Sequence, residues 1–366
     1  MSGSVFGKNF VISTWGESHG KAIGVCVDGC PAGLELSEED IQVYMDRRKP
    51  GQSEFTTKRN ESDCVKILSG VFDGKTTGTP IAMLIENSDQ HSRDYSALEN
   101  IYRPGHADFT FDKKFGIRDH RGGGRSSGRE TAGRVAAGAV ALKLLKQLGI
   151  TVTAYAKEIG GIAVSDEAFD LEEAKRNALC MPDAEAAEKC MKLLRNIKSR
   201  GDSAGGIIEC RVSGLKPGIG EPVFDKLDAR LAYAVMSIGA VKGFEMGAGF
   251  EAARMLGSEC NDGFVSEDGS IKGKAVNSGG TLGGMSDGGE MVFRAAVKPT
   301  PSVSFAQKTL DENGGEQELV IQGRHDPIIV PRAVVVVEAM AAVTIADLIL
   351  QDMGSKMDDV EKFYKK

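Results

Sequence analysis

The sequence over residues 125–149 is RSSGRETAGRVAAGAVALKLLKQLG, a basic loop followed by a long, mostly apolar segment. Ser127, followed three residues later by Glu130, fits a capping box, which marks the start of a helix. From Val135 to Leu148 apolar residues recur at helical spacing, and Gly149 ends the pattern. This stretch therefore predicts a helix with an apolar stripe, entered from a loop rich in arginine and serine.

A second stretch near the C-terminus repeats this arrangement. A basic loop at Arg324 precedes a helix that begins at Pro331 and runs toward Leu350. Glu338 and Asp347 interrupt its apolar residues, and two carboxylates argue against a membrane span, so we expect a buried core helix. Two halves that each end in a basic loop and a long helix indicate an internal duplication.

Outside these two stretches, shorter helix and strand signals alternate irregularly. Helices are predicted from Ser37 toward Arg47, from Pro182-Asp183 to near Gly201, and over Asp225–Met236. Strands are predicted at Phe10–Ser13, Ile23–Val27, Val65–Val71, Ile81–Ile85, Thr151–Ala156, Ile207–Val212, Met291–Ala296 and Glu318–Ile321. No strand, glycine-rich loop and helix follow one another at the spacing of a dinucleotide-binding fold. The expected fold class is α/β (α+β), with residues 1–366 in a single domain and a less ordered tail beyond about residue 352.

Composition and charge restrict the class of protein. Of the 366 residues, 41% are hydrophobic and 27% are charged, which fits a folded, soluble protein rather than a disordered one. The net charge of -7 argues against a nucleic-acid partner. The 7 cysteines form no Cys-x-x-Cys pair, which fits reduced thiols and argues against a metal site. The start of the chain lacks a signal-peptide pattern, so we expect a cytoplasmic protein with no membrane partner.

Two loops are basic although the chain as a whole is acidic. The first contains Arg47, Arg48, Lys49, Lys58 and Arg59, and the second contains Arg103, Arg118, Arg121, Arg125, Arg129 and Arg134. These cations are interspersed with glycine and serine, and the arginine fork pairs with carboxylate or phosphate through two hydrogen bonds. The pattern therefore predicts a site for a small anionic molecule. The alternative is a solvated face with scattered surface ion pairs.

The segment Arg121–Ser127 combines three glycines with arginine and serine just before a helix start. Glycine lets the backbone approach a ligand closely, and a helix start offers free N–H groups to a phosphate. We therefore predict a phosphate cradle here, although no Gly-Lys-Ser/Thr follows as in a Walker loop. The stiff turn Lys298–Ser302, with a cation and two hydroxyls, is either a second phosphate contact or only a loop.

Few side chains in this chain can transfer protons near neutral pH. Of the 5 histidines, His19 and His106 lie in glycine-flanked turns, which makes them candidate general acids rather than ordinary surface residues. Asp326 follows two potential cations that would favour its ionised form, or else it caps a turn before Pro327. No cluster of His, Asp and Glu has the spacing of metal ligands.

Four short motifs occur in a fixed order along the chain. They are Gly16-Glu17-Ser18-His19-Gly20, Arg103-Pro104-Gly105-His106-Ala107-Asp108, Arg125-Ser126-Ser127-Gly128-Arg129-Glu130 and Gly323-Arg324-His325-Asp326-Pro327. Together they resemble the chorismate synthase family over nearly the whole chain. The resemblance implies a single-domain β-α-β sandwich and a homotetramer. It also implies a carbon-oxygen lyase that converts 5-enolpyruvylshikimate 3-phosphate to chorismate, the last common step of the shikimate pathway to aromatic amino acids.

The reaction implied by the resemblance is a 1,4-anti elimination of phosphate and the C6 hydrogen, with reduced FMN and no net redox change. In the matched motifs, His19 would protonate the departing phosphate, His106 would be an acid near the flavin N1/C2 edge, and Asp326 would assist flavin N5. The residues matched to substrate anions are Arg48, Arg103 and Arg129. Those matched to FMN are Arg125, Ser126, Ser127, Gly239, Ala240, Gly283, Lys298, Pro299, Thr300, Pro301, Ser302 and Arg324.

This chain departs from the family pattern at three positions. Lys49 replaces a third arginine that many members have, and it keeps the charge but not the fork. Glu54 stands where many members have a basic residue, which puts any ligand role of that position in doubt. Ile328 replaces a smaller residue, and we expect it to alter packing only.

The source of the reduced flavin is expected to be external. No Gly-x-Gly-x-x-Gly turn stands between a strand and a helix, as an NADP site beside the flavin would require. We therefore expect a monofunctional enzyme that depends on a separate flavin reductant. From the residues alone two other functions stay open: a lyase or kinase that handles phosphate without flavin, and a non-enzymatic anion-binding protein.

Overall fold

The computed structural model describes residues 3–57, 61–88, 99–267, 269–274, 276–321 and 326–365. Within these ranges the α-helices are α1 (Glu38–Arg48), α2 (Asp108–Phe115), α3 (Thr131–Gln147), α4 (Glu173–Arg176), α5 (Ala184–Ser199), α6 (Leu227–Met236), α7 (Gly257–Cys260), α8 (Val330–Asp352) and α9 (Met357–Tyr364). The strands are β1 (Val5–Phe6), β2 (Val11–Gly16), β3 (Ala22–Asp28), β4 (Val65–Ile67), β5 (Val71–Phe72), β6 (Lys75–Thr76), β7 (Ile81–Glu86), β8 (Thr151–Ile159), β9 (Ile162–Ala163), β10 (Gly206–Ser213), β11 (Val241–Met246), β12 (Phe264–Glu267), β13 (Ser270–Gly273), β14 (Thr281–Leu282), β15 (Met285–Ser286), β16 (Met291–Val297), β17 (Gln307–Leu310) and β18 (Glu316–Leu319). Short 3-10 helices cover Gly124–Ser126, Gly128–Glu130 and Gly249–Arg254.

Two five-stranded sheets form the outer layers of the fold. The first has the strand order β1-β2-β3-β7-β4, and the second has the order β11-β16-β10-β8-β9. Every strand pair in the described ranges is antiparallel. A doubly wound dinucleotide-binding fold requires a mostly parallel sheet, so these sheets exclude it, as the sequence predicted.

The helices lie between the two sheets. Helix α3 packs against β2 and β3 of the first sheet, and α8 packs against β8 and β10 of the second. The two helices also pack on each other, with α1 and α6 beside them. A Cβ atom added at Gly138 would lie 2.3 Å from the Cβ of Ala339, so the helices cross at a distance that only glycine allows. The order sheet, helices, sheet confirms the predicted β-α-β sandwich.

Helix α8 is long and apolar enough to cross a membrane by length and composition, but 89% of its most apolar window is buried inside the protein. Both of its carboxylates have partners there. Glu338 accepts two hydrogen bonds from Arg47, at 2.7 and 3.0 Å. Asp347 accepts the backbone N–H groups of residues 8–10 and pairs with Arg230 at 2.8 Å. The prediction of a buried core helix is confirmed.

The two halves of the chain follow the same path. In the first half the order is β2, β3, α1, β4, β7, α3, and in the second it is β8, β10, α6, β11, β16, α8. Corresponding strands also occupy corresponding places in the two sheets. The internal duplication expected from the sequence is therefore present in the topology.

A repeated hairpin shows the same duplication at the level of single residues. Residues 70–81 contain the pair β5–β6, and residues 280–291 contain the pair β14–β15. Left-handed backbone angles recur at matching positions, Gly70, Asp73, Gly74 and Gly78 in the first hairpin and Gly280, Gly283, Gly284 and Gly288 in the second. The hydroxyls of Thr76 and Ser286 each donate to a carbonyl and accept an N–H in the turn that follows β3 or β10.

Two predicted helix starts are confirmed. Ser37 and Asp40 form a reciprocal capping box at the start of α1. Asp183 accepts the N–H of Ala186 at 3.0 Å and so caps α5. Beyond residue 352, where we expected a less ordered tail, the structure has α9, whose side chains are exposed.

The capping box predicted at Ser127 and Glu130 is wrong. The N–H of Ser127 donates to the carbonyl of Gly124 at 3.3 Å within a 3-10 turn, so it is not available to Glu130. The Glu130 carboxylate accepts from Arg134 instead, at 3.0 Å. Two 3-10 turns thus lead into α3, which begins at Thr131.

Some predicted boundaries are also wrong. The strand expected over Val65–Val71 is divided by a turn at Gly70, whose φ of 81° does not fit a strand. The helix expected to begin at Asp225 begins at Leu227. The sequence did not reveal α2, because Ala107 at its N-cap has no side chain to cap it. It also did not reveal β11, which contains a glycine.

Candidate active site

Arg48 and Arg129, here called the arginine pair, share one carboxylate. Arg48 ends α1, and Arg129 lies in the 3-10 turn before α3. Asp63 lies between them: its Oδ2 accepts from Nε of Arg48 at 3.0 Å, and its Oδ1 contacts Nη1 of Arg129. The side chains of Arg48 and Asp63 are 1% and 0% exposed. The predicted substrate residue Arg48 is therefore fully buried beside Asp63.

Asn87 connects the arginine pair to the turn that contains His19. Its Nδ2 donates to the carbonyl oxygens of Glu17 and Gly20, both at 2.9 Å. Its Oδ1 accepts from Nε of Arg129 at 2.8 Å. The side-chain amide of Asn87 thus holds both the turn of the predicted acid His19 and the predicted substrate residue Arg129.

His19 packs on the glycine-rich loop, residues 121–127. A Cβ atom added at Gly122 would lie 2.2 Å from Cδ2 of His19, so a larger residue there would displace the imidazole. Arg125 donates to the hydroxyl of Thr14 at 2.6 Å, which fixes the loop to β2. The predicted phosphate cradle and the predicted acid are therefore in direct contact.

The two serines of the glycine-rich loop have different surroundings. Ser126 is exposed, and its hydroxyl donates to the carbonyl of Gly123 at 2.7 Å. Ser127 is half-buried, and its Oγ accepts the N–H of Arg129 at 3.3 Å. Ser126 is therefore the more accessible of the two predicted FMN contacts.

His106 contacts Lys298–Ser302, here called the lysine loop. Its Nδ1 lies 3.0 Å from the carbonyl oxygen of Pro104, and its Nε2 lies 3.1 Å from Oγ of Ser302. Nζ of Lys298 donates to the carbonyl of Gly105 at 3.2 Å. Since a carbonyl oxygen only accepts, we assign the ring hydrogen of neutral His106 to Nδ1, with Nε2 toward the hydroxyl.

Arg103 forms a two-bond ion pair with Asp108. Nε and Nη2 of Arg103 lie 2.8 Å from the two carboxylate oxygens, and Arg118 lies 3.4 Å from the same carboxylate. Burial by itself would raise the pKa of Asp108, but the hydrogen bond and charge of Arg103 hold that pKa below its usual value. Arg103, a predicted substrate residue, is thus oriented by a buried carboxylate, as Arg129 is.

Asp326 connects the lysine loop to the end of α1. Its carboxylate accepts the N–H of Thr57 at 2.6 Å and pairs with Arg332 at 2.8 Å. Its carbonyl accepts the hydroxyl of Thr300 at 2.8 Å. Nε of Arg332 donates to the carbonyl of Arg48 at 3.1 Å. The Asp326 side chain therefore binds one residue distant in sequence, Thr57, and one nearby, Arg332.

The other predicted FMN residues lie in different parts of the chain. The carbonyl of Ala240 accepts the N–H of Lys298 at 2.9 Å, so Gly239 and Ala240 adjoin the lysine loop. Gly283 is at the turn of hairpin β14–β15, which packs on α6. Arg324 lies outside the described residues. The FMN roles of all four stay predictions.

A cavity of about 800 Å³ lies beside the glycine-rich loop. The groups that line it include Thr14, Glu17, Asp108, Phe111, Arg118, Gly122, Gly123, Gly124, Arg125, Ser126, Arg134 and Ser237. Cations and hydroxyls thus alternate with apolar walls, as is typical of small-molecule sites. His19 adjoins this cavity through Gly122.

The three residues that depart from the family pattern have defined surroundings in the structure. Glu54 pairs with Arg195 of α5 at 2.7 Å, and Lys49 pairs with Asp46 at 2.9 Å. Ile328 is fully buried in the core, and its effect on packing stays a prediction.

The cysteines and metal-binding side chains show no arrangement for a metal site within the described ranges. All seven cysteines are free. Across the same part of the chain, no group of three or more His, Cys, Asp or Glu side chains is arranged to hold a metal ion.

Comparison with known proteins shows the family of this chain. The family model described as chorismate synthase matches residues 10–350, a span that includes both halves of the fold and every predicted site residue. The chain belongs to the chorismate synthase family. Because the members of this family are lyases, the protein is an enzyme of that class.

Full-length relatives support the same assignment. The chorismate synthase of Lachnospira eligens is 64% identical over 100% of both chains. That of Methanosarcina mazei is 57% identical over 96% of this chain and 97% of its own. A crystal structure of chorismate synthase superposes with a TM-score of 0.77 at 34% identity, covering 98% of this chain and 97% of that one.

Burial and the charge of the ion-pair partner act in opposite directions on the pKa of Arg48 and on that of Asp63. Burial lowers the pKa of Arg48 to about 10, although the charge of Asp63 opposes that shift. Burial by itself would raise the pKa of Asp63, but the charges of Arg48 and Arg129 hold it below its usual value. At neutral pH Asp63 is therefore a carboxylate ion beside the guanidinium ion of Arg48.

Sequence reasoning missed three residues that organise this candidate site. Asp63 and Asn87 hold the arginine pair, and Arg332 connects Asp326 to α1. Asp63 had a weak signal, an acidic residue just after a basic loop. Asn87 had none, because its partners come from a turn about seventy residues away in sequence.

Proposed function

We propose that this enzyme converts 5-enolpyruvylshikimate 3-phosphate into chorismate and phosphate by 1,4-anti elimination, with reduced FMN as cofactor. The observation that supports it is a series of contacts. The series contains His106, Asp326 and the arginine pair, and it ends at the turn of His19. The series runs His106–Ser302, then Thr300–Asp326–Arg332–Arg48, then Asp63–Arg129–Asn87 and the turn of His19. Residues from four separate motifs thus belong to one continuous series of contacts.

The residues at the cavity fit a phosphorylated, ring-containing cofactor. Arg125 and exposed Ser126 line it, and Gly124 has open space on its Cβ side. Arginine and serine donors on a glycine-rich backbone are groups that bind phosphate. Arg125, Ser126 and the lysine loop would hold FMN. When bound, reduced FMN supplies transient electron donation to the elimination, with no net redox change.

The arginines would bind the anionic substrate, which has two carboxylates and a phosphate. Each charge-assisted hydrogen bond contributes about 1.5–3 kcal/mol, so several together give firm binding. Arg103 and Arg129 are each oriented by a buried carboxylate before any ligand arrives. Preorganised donors lose less entropy when a ligand binds, which favours a defined orientation of the substrate.

His19 would give a proton to the departing phosphate. Its turn is fixed by Asn87, and its imidazole lies against Gly122. A fixed imidazole delivers its proton to one position, which is what protonation of a leaving-group oxygen requires.

His106 and Asp326 would act at the flavin side of the substrate. The Nδ1 hydrogen of His106 is directed to Pro104, so Nε2 is the atom that takes or gives a proton. Asp326 is held by the N–H of Thr57 and by Arg332, so its carboxylate keeps one orientation.

An anaerobic assay tests this proposal. Purified protein is mixed with 5-enolpyruvylshikimate 3-phosphate and dithionite-reduced FMN, and chorismate and free phosphate are measured. We expect both products in equal amounts, and none when FMN is omitted. Phosphate release without flavin would instead favour a flavin-independent lyase, and binding without turnover would favour an anion-binding protein.

The flavin reductant is proposed to be external. The same anaerobic mixture, with oxidised FMN and NADPH, should give no chorismate until dithionite or a separate flavin reductase is added. Steady chorismate production from NADPH alone, with contaminating reductase excluded, would contradict a monofunctional enzyme.

We further propose a cytoplasmic homotetramer. Large apolar side chains stand exposed on the second half of the chain, among them Phe224 at 93%, Phe250 at 77% and Phe264 at 69%. Exposed apolar groups of this size support contact with another subunit. Analytical ultracentrifugation of the full chain tests the tetramer, and a monomer at micromolar concentration would contradict it.

A further inference from the structure

The carboxylate of Asp63 is fully buried at the centre of the arginine pair. Arg48 directs Nε and Nη2 to it, while its Nη1 lies 3.4 Å from the carbonyl of Gly128. Arg129 directs Nη1 to the same carboxylate and Nε to Asn87. Each guanidinium is thus fixed by at least two partners, and Asp63 is the partner that both share.

The backbone at Asp63 restricts which residue can stand there. Its φ of 50° lies in the left-handed region, which L side chains other than Asp and Asn rarely adopt. Of the residues that tolerate this conformation, only aspartate brings a negative charge. The left-handed backbone and the two arginine partners together therefore favour aspartate at this position.

Exposure separates the tasks of the two arginines. The side chain of Arg48 is 1% exposed and that of Arg129 is 9% exposed. A ligand that reaches the pair therefore meets Arg129 first, with Asp63 and Arg48 on the buried side.

We infer that Asp63 is a positioning residue, whose carboxylate holds Arg129 in the orientation that binds an anion of the substrate, with Arg48 as the buried counter-ion. This inference rests on the proposed function and assigns different tasks to two arginines that family resemblance treats alike. Without the carboxylate, two adjacent guanidinium ions repel each other, so Arg129 loses its fixed orientation.

Asp63→Asn is the test, because asparagine tolerates the left-handed backbone while it removes the charge. The matched control is Asp73→Asn: Asp73 has a φ of 48°, is exposed, and lies in hairpin β5–β6. We expect Asp63→Asn to raise KM for the substrate by about ten- to hundredfold, the loss of one charge-assisted hydrogen bond. FMN binding, followed by flavin fluorescence, should stay unchanged, and Asp73→Asn should match wild type in both measurements.

Three outcomes are distinguishable. If wild type and Asp73→Asn make no chorismate, the proposed function fails. If they do, and folded Asp63→Asn keeps the wild-type KM, only the positioning role is overturned. A KM increase with unchanged FMN affinity supports that role, since general damage to the site would weaken both.

A second set of variants serves if Asp63→Asn does not fold. Arg48→Lys keeps a positive charge beside Asp63 but removes the guanidinium fork. Arg129→Lys makes the same change at the more exposed arginine. Because both act through Asp63, the double variant should raise KM by less than the product of the two single increases. A full product would mean independent ligand contacts and would overturn the inference.

Discussion

The first half of the chain, from β2 to α3, and the second half, from β8 to α8, share a topology but contribute different chemistry to the site. The first half supplies both predicted acids, His19 and His106, and the arginine pair. The second half supplies the lysine loop and Asp326, with hydroxyl and backbone groups.

Two pairs of matching loops contribute residues to the candidate site, and one pair is in direct contact through His106 and Ser302. Arg48 ends α1, and Gly239 and Ala240 follow the corresponding helix α6. His106 follows β7, and the lysine loop follows the corresponding strand β16. Packing constrains the duplicated sheets and helices, whereas loops can change residues without loss of the core. The comparison indicates that the duplicated core sets the position of the site. The loops, which differ between the halves, set the chemical groups that each half contributes.

The largest expected effect is loss of the first-half acids. His19→Ala and His106→Ala should each lower kcat by roughly 10²–10⁴-fold, the usual contribution of a general acid. From the second half, Ser302→Ala removes only a neutral hydrogen bond to His106 and should cost about tenfold or less. Steady-state kinetics with reduced FMN measure all three.

The control for the histidines is His91→Ala, at a position that lies outside the described residues and belongs to none of the motifs. Turnover near the wild-type value in His19→Ala or His106→Ala would remove the role proposed for that residue. An equal loss in Ser302→Ala would show that the two halves share the acid chemistry.

The contact between His19 and the glycine-rich loop is the next test. Gly122→Ala places a Cβ atom 2.2 Å from Cδ2 of His19 and must displace the imidazole. A displacement of about 1 Å costs on the order of 10²-fold in rate, so kcat should fall by about that factor. Gly128→Ala, where the added Cβ meets nothing within 4 Å, is the matched control and should keep activity. Equal rates in the two variants would show that the position of His19 is not critical.

The crossing of α3 and α8 joins the two halves and should govern stability rather than catalysis. In Gly138→Ala the new Cβ lies 2.3 Å from Cβ of Ala339, and such overpacking costs about 1–3 kcal/mol in the free energy of unfolding. Denaturant unfolding measures this loss. Gly257→Ala, with nothing within 4 Å of the added Cβ, should leave stability nearly unchanged. Wild-type stability in Gly138→Ala would show that the helices separate at little cost.

The smallest expected effect is a change of arginine geometry. Arg129→Lys keeps the charge but removes the fork, so it should raise KM by about tenfold, the loss of one charge-assisted hydrogen bond. Glu54 offers a control in the same region, since Glu54→Gln breaks only a surface ion pair with Arg195. Wild-type kinetics for Arg129→Lys would show that a point charge is sufficient there.

Much of the fold was predictable because its long elements have strong local signals. The apolar stripe of α3, the buried stretch of α8 and the cap at Ser37 depend on neighbours in sequence. The capping box at Ser127 failed because a 3-10 turn uses that N–H, a competition that local pattern cannot show. Helix α2 was missed because it has no side-chain cap.

By itself the sequence determined the family, because that depends on motifs, and the long helices, because those depend on periodic apolar residues; the resemblance to the family implied the sandwich. Only the tertiary structure decided that Asp63 stands between Arg48 and Arg129, that Asn87 holds the turn of His19, and that Asp326 binds Thr57. These contacts join segments from fifteen to some 270 residues apart, and no local pattern encodes them. The packing of the helices between the sheets brings those segments together.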